Sequence, residues 1–143
     1  MKLQFTYSKA EEKAKLLNVY KKYQWFIDTD FPIVSPDFFK ETYRQNRSDE
    51  KVFAQKISSG LNKVYRKNEY QQKSIRVKNS WQKIERPFFT VLGDFILPVR
   101  DRYVCHVSLY GPEGRFQYPD TISLRVSAGR DINRLIEAAI LAP

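Results

Sequence analysis

The sequence predicts an α+β domain, on three observations: apolar and polar residues alternate with period two at the start of the chain and again in its last third, helical stripes fill the middle, and an apolar helix closes the chain. Leu3, Phe5 and Tyr7 alternate with polar neighbours, which reads as a half-buried strand. Ser8, followed three residues on by Glu11, forms a capping box that opens a helix. Ala10, Ala14, Leu17, Tyr20 and Tyr23 form its expected core stripe, and Asp28, Thr29, Asp30 and Pro32 end it. Ser35 and Pro36 start a short helix over residues 37–44 that presents Phe38, Phe39 and Tyr43. Residues 46–49 read as a turn with Ser48 as the next cap.

From Asp49, helical spacing runs through Phe53, Ile57, Leu61, Val64 and Tyr65 to about Lys67. Gly60 weakens that helix by about 1 kcal/mol without forbidding it. Val77, Trp81, Ile84, Phe88, Val91, Leu92 and Phe95 continue a helical stripe, which Pro87 must kink or restart. Residues 88–92 taken alone also fit a short strand, but the long stripe and the neighbouring proline favour helix. Tyr103, Cys105, Val107 and Leu109 then alternate with Val104, His106, Ser108 and Tyr110, as Ile122, Leu124 and Val126 do with Ser123, Arg125 and Ser127. These two strands are expected to face each other across the loop 111–119 in a small antiparallel sheet. Asp131 caps a last helix with the stripe Ile132, Leu135, Ile136, Ala139 and Ile140. The whole, residues 1–143, is expected to be one domain: an N-terminal strand and helices packed on the sheet, with a C-terminal helix.

Composition narrows the function classes. The chain has 143 residues, 42% hydrophobic and 15% aromatic, with five glycines and seven prolines, which excludes disordered and low-complexity classes. One cysteine, Cys105, makes no internal disulfide, and no charged-then-apolar leader or membrane-length apolar run is seen, so a cytoplasmic chain that does not enter a membrane is expected. Cys105 and His106 are adjacent in a strand and should point to opposite faces, so no metal ion is expected between them. Cys105 reads as a small core residue. His106 on the outer face could act as a general base, but no spacing supplies its nucleophile or orienting acid. Phosphate loops, dinucleotide fingerprints and nucleophile elbows are absent, so no cofactor and no catalytic residue is assigned. Asp28 with Asp30 and Glu11 with Glu12 sit at a turn and a helix start, where acids are expected for backbone reasons.

Charge is the remaining signal. The net charge is +9, of which residues 51–86 carry +8. Lys63, Arg66, Lys67, Lys73, Arg76 and Lys78 lie close in sequence with Tyr65, Tyr70 and Trp81 among them, a composition that suits contacts to a nucleic-acid backbone and its bases or to an acidic protein surface. A solvated helix face explains the same charges, and helical spacing places Tyr65 and Trp81 in core stripes.

The segment Trp81-Gln-Lys-Ile-Glu-Arg-Pro-Phe-Phe-Thr-Val-Leu92, the run Val107-Ser-Leu-Tyr-Gly-Pro-Glu-Gly114 and the strand and helix that follow Tyr118-Pro-Asp-Thr-Ile-Ser-Leu-Arg-Val126 resemble a family of small uncharacterised metallopeptidases of the zincin type. The resemblance covers about residues 81–140 and rests on the Leu-Tyr-Gly-Pro turn and the element order. That family carries His-Glu-x-x-His on its last helix. Aligned on Glu137, this chain has Leu141 and Ala142 at the positions of the first histidine and the glutamate, and the second histidine would fall beyond Pro143. The resemblance therefore implies a zincin-like scaffold without its zinc ligands or base, acting as a non-catalytic binding or interaction protein. An in-frame continuation restoring the motif would make it an enzyme. The alternative is a basic module that binds a polyanion through residues 51–86.

Overall fold

The computed structural model describes residues 1–95, 99–126 and 131–141. Ser8 caps helix α1 (Lys9–Asp28), its side chain accepting from the Glu11 amide at 3.1 Å, after strand β1 (Leu3–Thr6). The core stripe of α1 is not the expected one. Ala10 and Ala14 are exposed, and the buried positions are Glu12, Leu16, Val19, Tyr23 and Phe26. Steps of four, three, four and three do make a helical stripe, but a glutamate heads it, and an apolar pattern search passes over such a stripe.

Helix α2 (Phe39–Gln45) follows a turn closed by the Phe39 amide on the Pro36 carbonyl at 2.9 Å. Helix α3 (Glu50–Val64) is capped by Asp49, not Ser48, the aspartate accepting from the Val52 amide at 3.1 Å. The chain then extends through Tyr65 and Arg66 and re-enters a helix, α4 (Lys67–Gln82), whose buried residues are Tyr70, Ser74, Val77 and Trp81. The expected stripe from Val77 thus belongs to two helices. The second, α5 (Glu85–Asp94), includes residues 88–92 and holds Pro87 in its first turn, where a missing N–H costs no helical bond.

Strands β2 (Tyr103–Ser108), β3 (Gly114–Gln117) and β4 (Thr121–Arg125) complete a four-stranded sheet in the order β1-β2-β4-β3. The sheet is mixed, not antiparallel: β2 runs parallel to both β1 and β4, and only β3 is antiparallel to its neighbour β4. The loop expected between β2 and β4 contains β3, so the chain reverses twice and returns to its starting direction. The apolar edge of helix α6 (Ile132–Leu141) packs on β3 and β4, and its cap is Asp131, which accepts from the Arg134 amide at 3.2 Å. Ser127 and Ala142 lie outside the described residues.

Two apolar clusters result. One face of the sheet (Leu3, Tyr103, Cys105, Ile122, Leu124) buries against Val77 and Trp81 of α4, Leu92 of α5 and Ile136, Ala139 and Ile140 of α6. The second cluster joins α1, α2 and α3 through Leu16, Val19, Tyr23, Phe26, Phe39, Phe53, Ile57 and Leu61. Gly60 lets α2 approach α3, since a Cβ there would lie 2.5 Å from the Phe38 ring. Glu85 ties the first strand to the helical layer, its Oε1 accepting from the Lys2 and Leu3 amides at 2.8 and 3.1 Å and from the Trp81 indole at 3.2 Å.

Candidate functional site

The other face of the sheet is polar. Strand alternation puts Cys105, fully buried, in the apolar cluster and turns His106 the opposite way. Register then aligns one polar row across all four strands: Thr6 opposite His106, His106 opposite Ser123, and Ser123 opposite Arg115. Helix α1 lies over this row, presenting Glu11, Glu12, Ala14, Lys15 and Asn18. Between helix and sheet is a cleft of about 100 Å³, closed on the strand side by His106, Val107, Ser108, Gln117 and Ser123. A further cavity of about 40 Å³ adjoins it, reaching Lys22, Phe26, Pro112 and Arg115, and Lys15, Asn18, Gln117 and Ser123 line both.

Glu12 is 1% exposed, and both of its oxygens accept hydrogen bonds. The Tyr70 hydroxyl donates to Oε2 and the Ser108 hydroxyl to Oε1, both in short hydrogen bonds, and the Leu109 amide donates to Oε2 at 3.2 Å. Burial and the bond to Glu12 push the Tyr70 phenol far above its ordinary value. One residue on, Glu11 Oε2 faces His106 Nε2 at 3.2 Å, and the Thr6 hydroxyl meets His106 Nδ1 at 2.6 Å. A carboxylate only accepts, so Nε2 carries the proton towards Glu11, and in the neutral ring Nδ1 accepts from Thr6. The partners that spacing does not reveal for His106 are therefore Thr6, from a strand a hundred residues earlier, and Glu11.

Lys15 differs from its neighbours. Its Nζ is buried and has no hydrogen-bond partner among the described residues. Burial lowers its ammonium to about 8, with Arg125 acting in the same direction and Glu12 opposing. Gly111 makes room for the stem: its φ is +80°, and a Cβ there would lie 2.7 Å from Lys15 Cε. Arg125 donates to the Gly111 carbonyl at 2.7 Å and lies 3.6 Å from Glu113, which holds the turn that presses on Lys15.

The basic residues singled out in the sequence are elsewhere. Lys63 is in the last turn of α3, Arg66 is the N-cap of α4 and Lys67 its first residue. At about 100° per residue, Lys73 and Arg76 fall on one flank of the buried α4 stripe and Lys67 and Lys78 on the other. Lys73 and Arg76 share a shallow groove with Glu69, Gln72, Ile75 and Asn79, whereas Lys78 borders a depression beside β1. The six are not gathered on one face. Of the interleaved aromatics, Tyr70 and Trp81 are buried and Tyr65 is half-buried, stacked on Tyr70 at 4.4 Å between ring centres.

Among the described residues, no three His, Cys, Asp or Glu side chains are grouped so that they could hold a metal ion, and no helix is long and apolar enough to cross a membrane. The fold and cleft define a mixed-sheet α+β protein with a polar, lysine-containing recess between a helix and the hydrophilic sheet face. Compared with family models, with curated proteins and with solved structures, the chain matches none.

Proposed function

We propose that this chain is a non-catalytic binding protein and that its ligand is a small oxyanion-bearing molecule seated between α1 and the polar sheet face. The carrying observation is the buried Lys15 Nζ, without a hydrogen-bond partner among the described residues, in a recess that Asn18, Gln117, Ser108 and Ser123 line with amide and hydroxyl groups. Glu11, Glu12 and His106 line it at the helix start, where Glu12 is hydrogen-bonded to Tyr70 and Ser108 and Glu11 is paired with His106. A buried ammonium without an acceptor is costly, and a ligand oxygen is the missing acceptor. A single water needs only about 10–15 Å³ of such space, so a cleft of about 100 Å³ has room for a small organic anion. In terms of the family likeness, the proposal is a zincin-like scaffold used for binding without its metal helix. Titration with acetate and with inorganic phosphate, followed by calorimetry, tests it. Saturable binding that is lost in Lys15→Met is expected; heats indistinguishable from dilution with both anions would overturn it.

A second reading is favoured by the exposed cations of residues 51–86. Among the described residues, none of Lys63, Arg66, Lys67, Lys73, Arg76 or Lys78 forms an ion pair. A nucleic acid or an acidic protein surface would meet Lys73 and Arg76 first, in their groove on α4. Affinity for a single-stranded RNA should then fall steeply with salt and vanish on charge reversal at Arg66, Lys67 and Lys73. Salt-independent binding would refute it.

A further inference from the structure

We infer that Lys15 is an amine that captures a small 2-oxo acid as an imine, the carbonyl carbon bonding to Nζ and the carboxylate lying towards Asn18, Gln117, Ser123 and Arg115. The inference rests on the proposed oxyanion cleft and goes further by giving that ligand a carbonyl group. Three features of the cleft support it.

The first is the placement of the nitrogen. The stem of Lys15 is held against Gly111, and Nζ is buried where no group among the described residues accepts from it, so the amine is neither solvated nor tied up in an ion pair with them. Glu12, the nearest carboxylate on the same helix, is already bonded to Tyr70, Ser108 and the Leu109 amide. The second is the division of the recess. Asn18, Gln117 and Ser123 line both cavities alongside Lys15, and Arg115 borders the further one. A carboxylate therefore finds amide, hydroxyl and guanidinium donors on the side away from the helix start, while the ligand's other end reaches the amine. The third is protonation. A lysine lowered to about 8 is half free base at pH 8, whereas an ordinary surface lysine, near 10.4, is almost wholly protonated. The lone pair is what attacks a carbonyl. The titratable or charged groups around Lys15 are Glu11, Glu12 and Lys22 from α1, Cys105 and His106 from β2, Arg125 from β4 and Arg115 from β3.

The chemistry balances without a further reagent. The Nζ lone pair forms the C–N bond as one N–H proton passes through water to the carbonyl oxygen to give a carbinolamine, and the second N–H proton leaves with that oxygen as water, which leaves the C=N bond. Nothing is oxidised or reduced, and the capture is reversible. Both ring nitrogens of His106, which lines the same cleft, are engaged by Glu11 and Thr6, so water exchanges the protons of the departing oxygen.

Glyoxylate is the probe. The protein is incubated with it at pH 8 in the presence of cyanoborohydride, which reduces an imine to a stable secondary amine, and the modified lysines are located by peptide mass mapping. A carboxymethyl increment on Lys15, formed at least about tenfold faster than on any other lysine, is expected from the free-amine fractions. The increment should disappear in Lys15→Arg, which keeps the positive charge but cannot form the imine, and circular dichroism of that variant shows whether the fold is kept. Labelling spread evenly over the lysines, or unchanged at other lysines with none on Lys15, would overturn the inference. Anion titration separates the two levels: acetate or phosphate bound without imine on Lys15 removes only the capture, and no binding of either anion removes the cleft proposal itself.

Discussion

The Lys15 amine is buried at a cost that pH can reveal. In the unfolded chain it titrates at 10.5 and in the folded protein at about 8, so between those values the unfolded state binds more protons and the folded state gains stability as pH rises. The difference corresponds to about 3 kcal/mol, part of which Glu12 and relaxation around the side chain return. Lys15→Met should therefore stabilise the protein by about 2 kcal/mol in urea unfolding at pH 7, with the gain shrinking towards zero as pH rises from 8 to 10.5. Tyr70, raised by burial and by its bond to Glu12, contributes stability that is present below pH 10 and lost above it, but it does so in both proteins and cancels in the comparison. An equal gain at pH 7 and pH 10 would assign the effect to packing instead. Neither Lys15 nor Glu12 was legible as a site residue in the sequence. Acids in a first helical turn are ordinary, and a lysine two residues after another, Lys13, in a lysine-rich helix looks solvated. Only the position of Glu12 at the head of the stripe Leu16, Val19 and Tyr23 carries a signal, and it emerges only when the stripe is traced through a charged residue.

At the level of elements, strands and caps were readable where local chemistry decides them, as with Ser8, Asp131 and the opposite facing of Cys105 and His106. Strand direction was not, because it depends on whether residues 114–117 pair, and Gly-Arg-Phe-Gln has no alternation long enough to announce a strand. The row Thr6, His106, Ser123 and Arg115 is likewise a product of register, which sequence periodicity leaves open. The turn after β2 is tested through Gly111. A left-handed φ of +80° costs a side chain about 1 kcal/mol or more, and the added Cβ would also meet the Lys15 stem at 2.7 Å. Gly111→Ala should cost about 2 kcal/mol in thermal or urea unfolding. In a Lys15→Ala background the penalty should fall to the strain alone, giving a coupling of about 0.5–1 kcal/mol in a double-mutant cycle. Strict additivity would show that the glycine serves only its own backbone.

Across the whole molecule, the buried polar link between the two apolar clusters is Glu12, beside the more exposed Glu11–His106 contact and the Val34–Gly111 bridge. Glu12 belongs to α1 in the helical cluster, while Tyr70 on α4 and Ser108 at the end of β2 belong to the elements of the sheet cluster, so its three hydrogen bonds span the seam. Removing the carboxyl leaves the buried Tyr70 hydroxyl and the Leu109 amide without an acceptor, while the Ser108 hydroxyl keeps the Tyr110 carbonyl at 3.1 Å, and the loss costs about 3 kcal/mol. Replacing it also lets α1 part from the sheet without breaking either cluster. The two tryptophans report the halves separately: Trp81 is fully buried in the sheet cluster, and Trp25 lies at the end of α1, 52% exposed against Phe26 and Phe31. With Trp25→Phe, fluorescence follows the sheet cluster while circular dichroism, dominated by the helices, follows the whole. In an otherwise unaltered chain the two urea transitions should coincide, since one seam joins both halves. In Glu12→Ala they should separate, the helical signal being lost at lower urea than the Trp81 signal. Transitions that move down together in Glu12→Ala would mean that apolar contacts alone hold the halves in register and that the glutamate is kept for the cleft it borders.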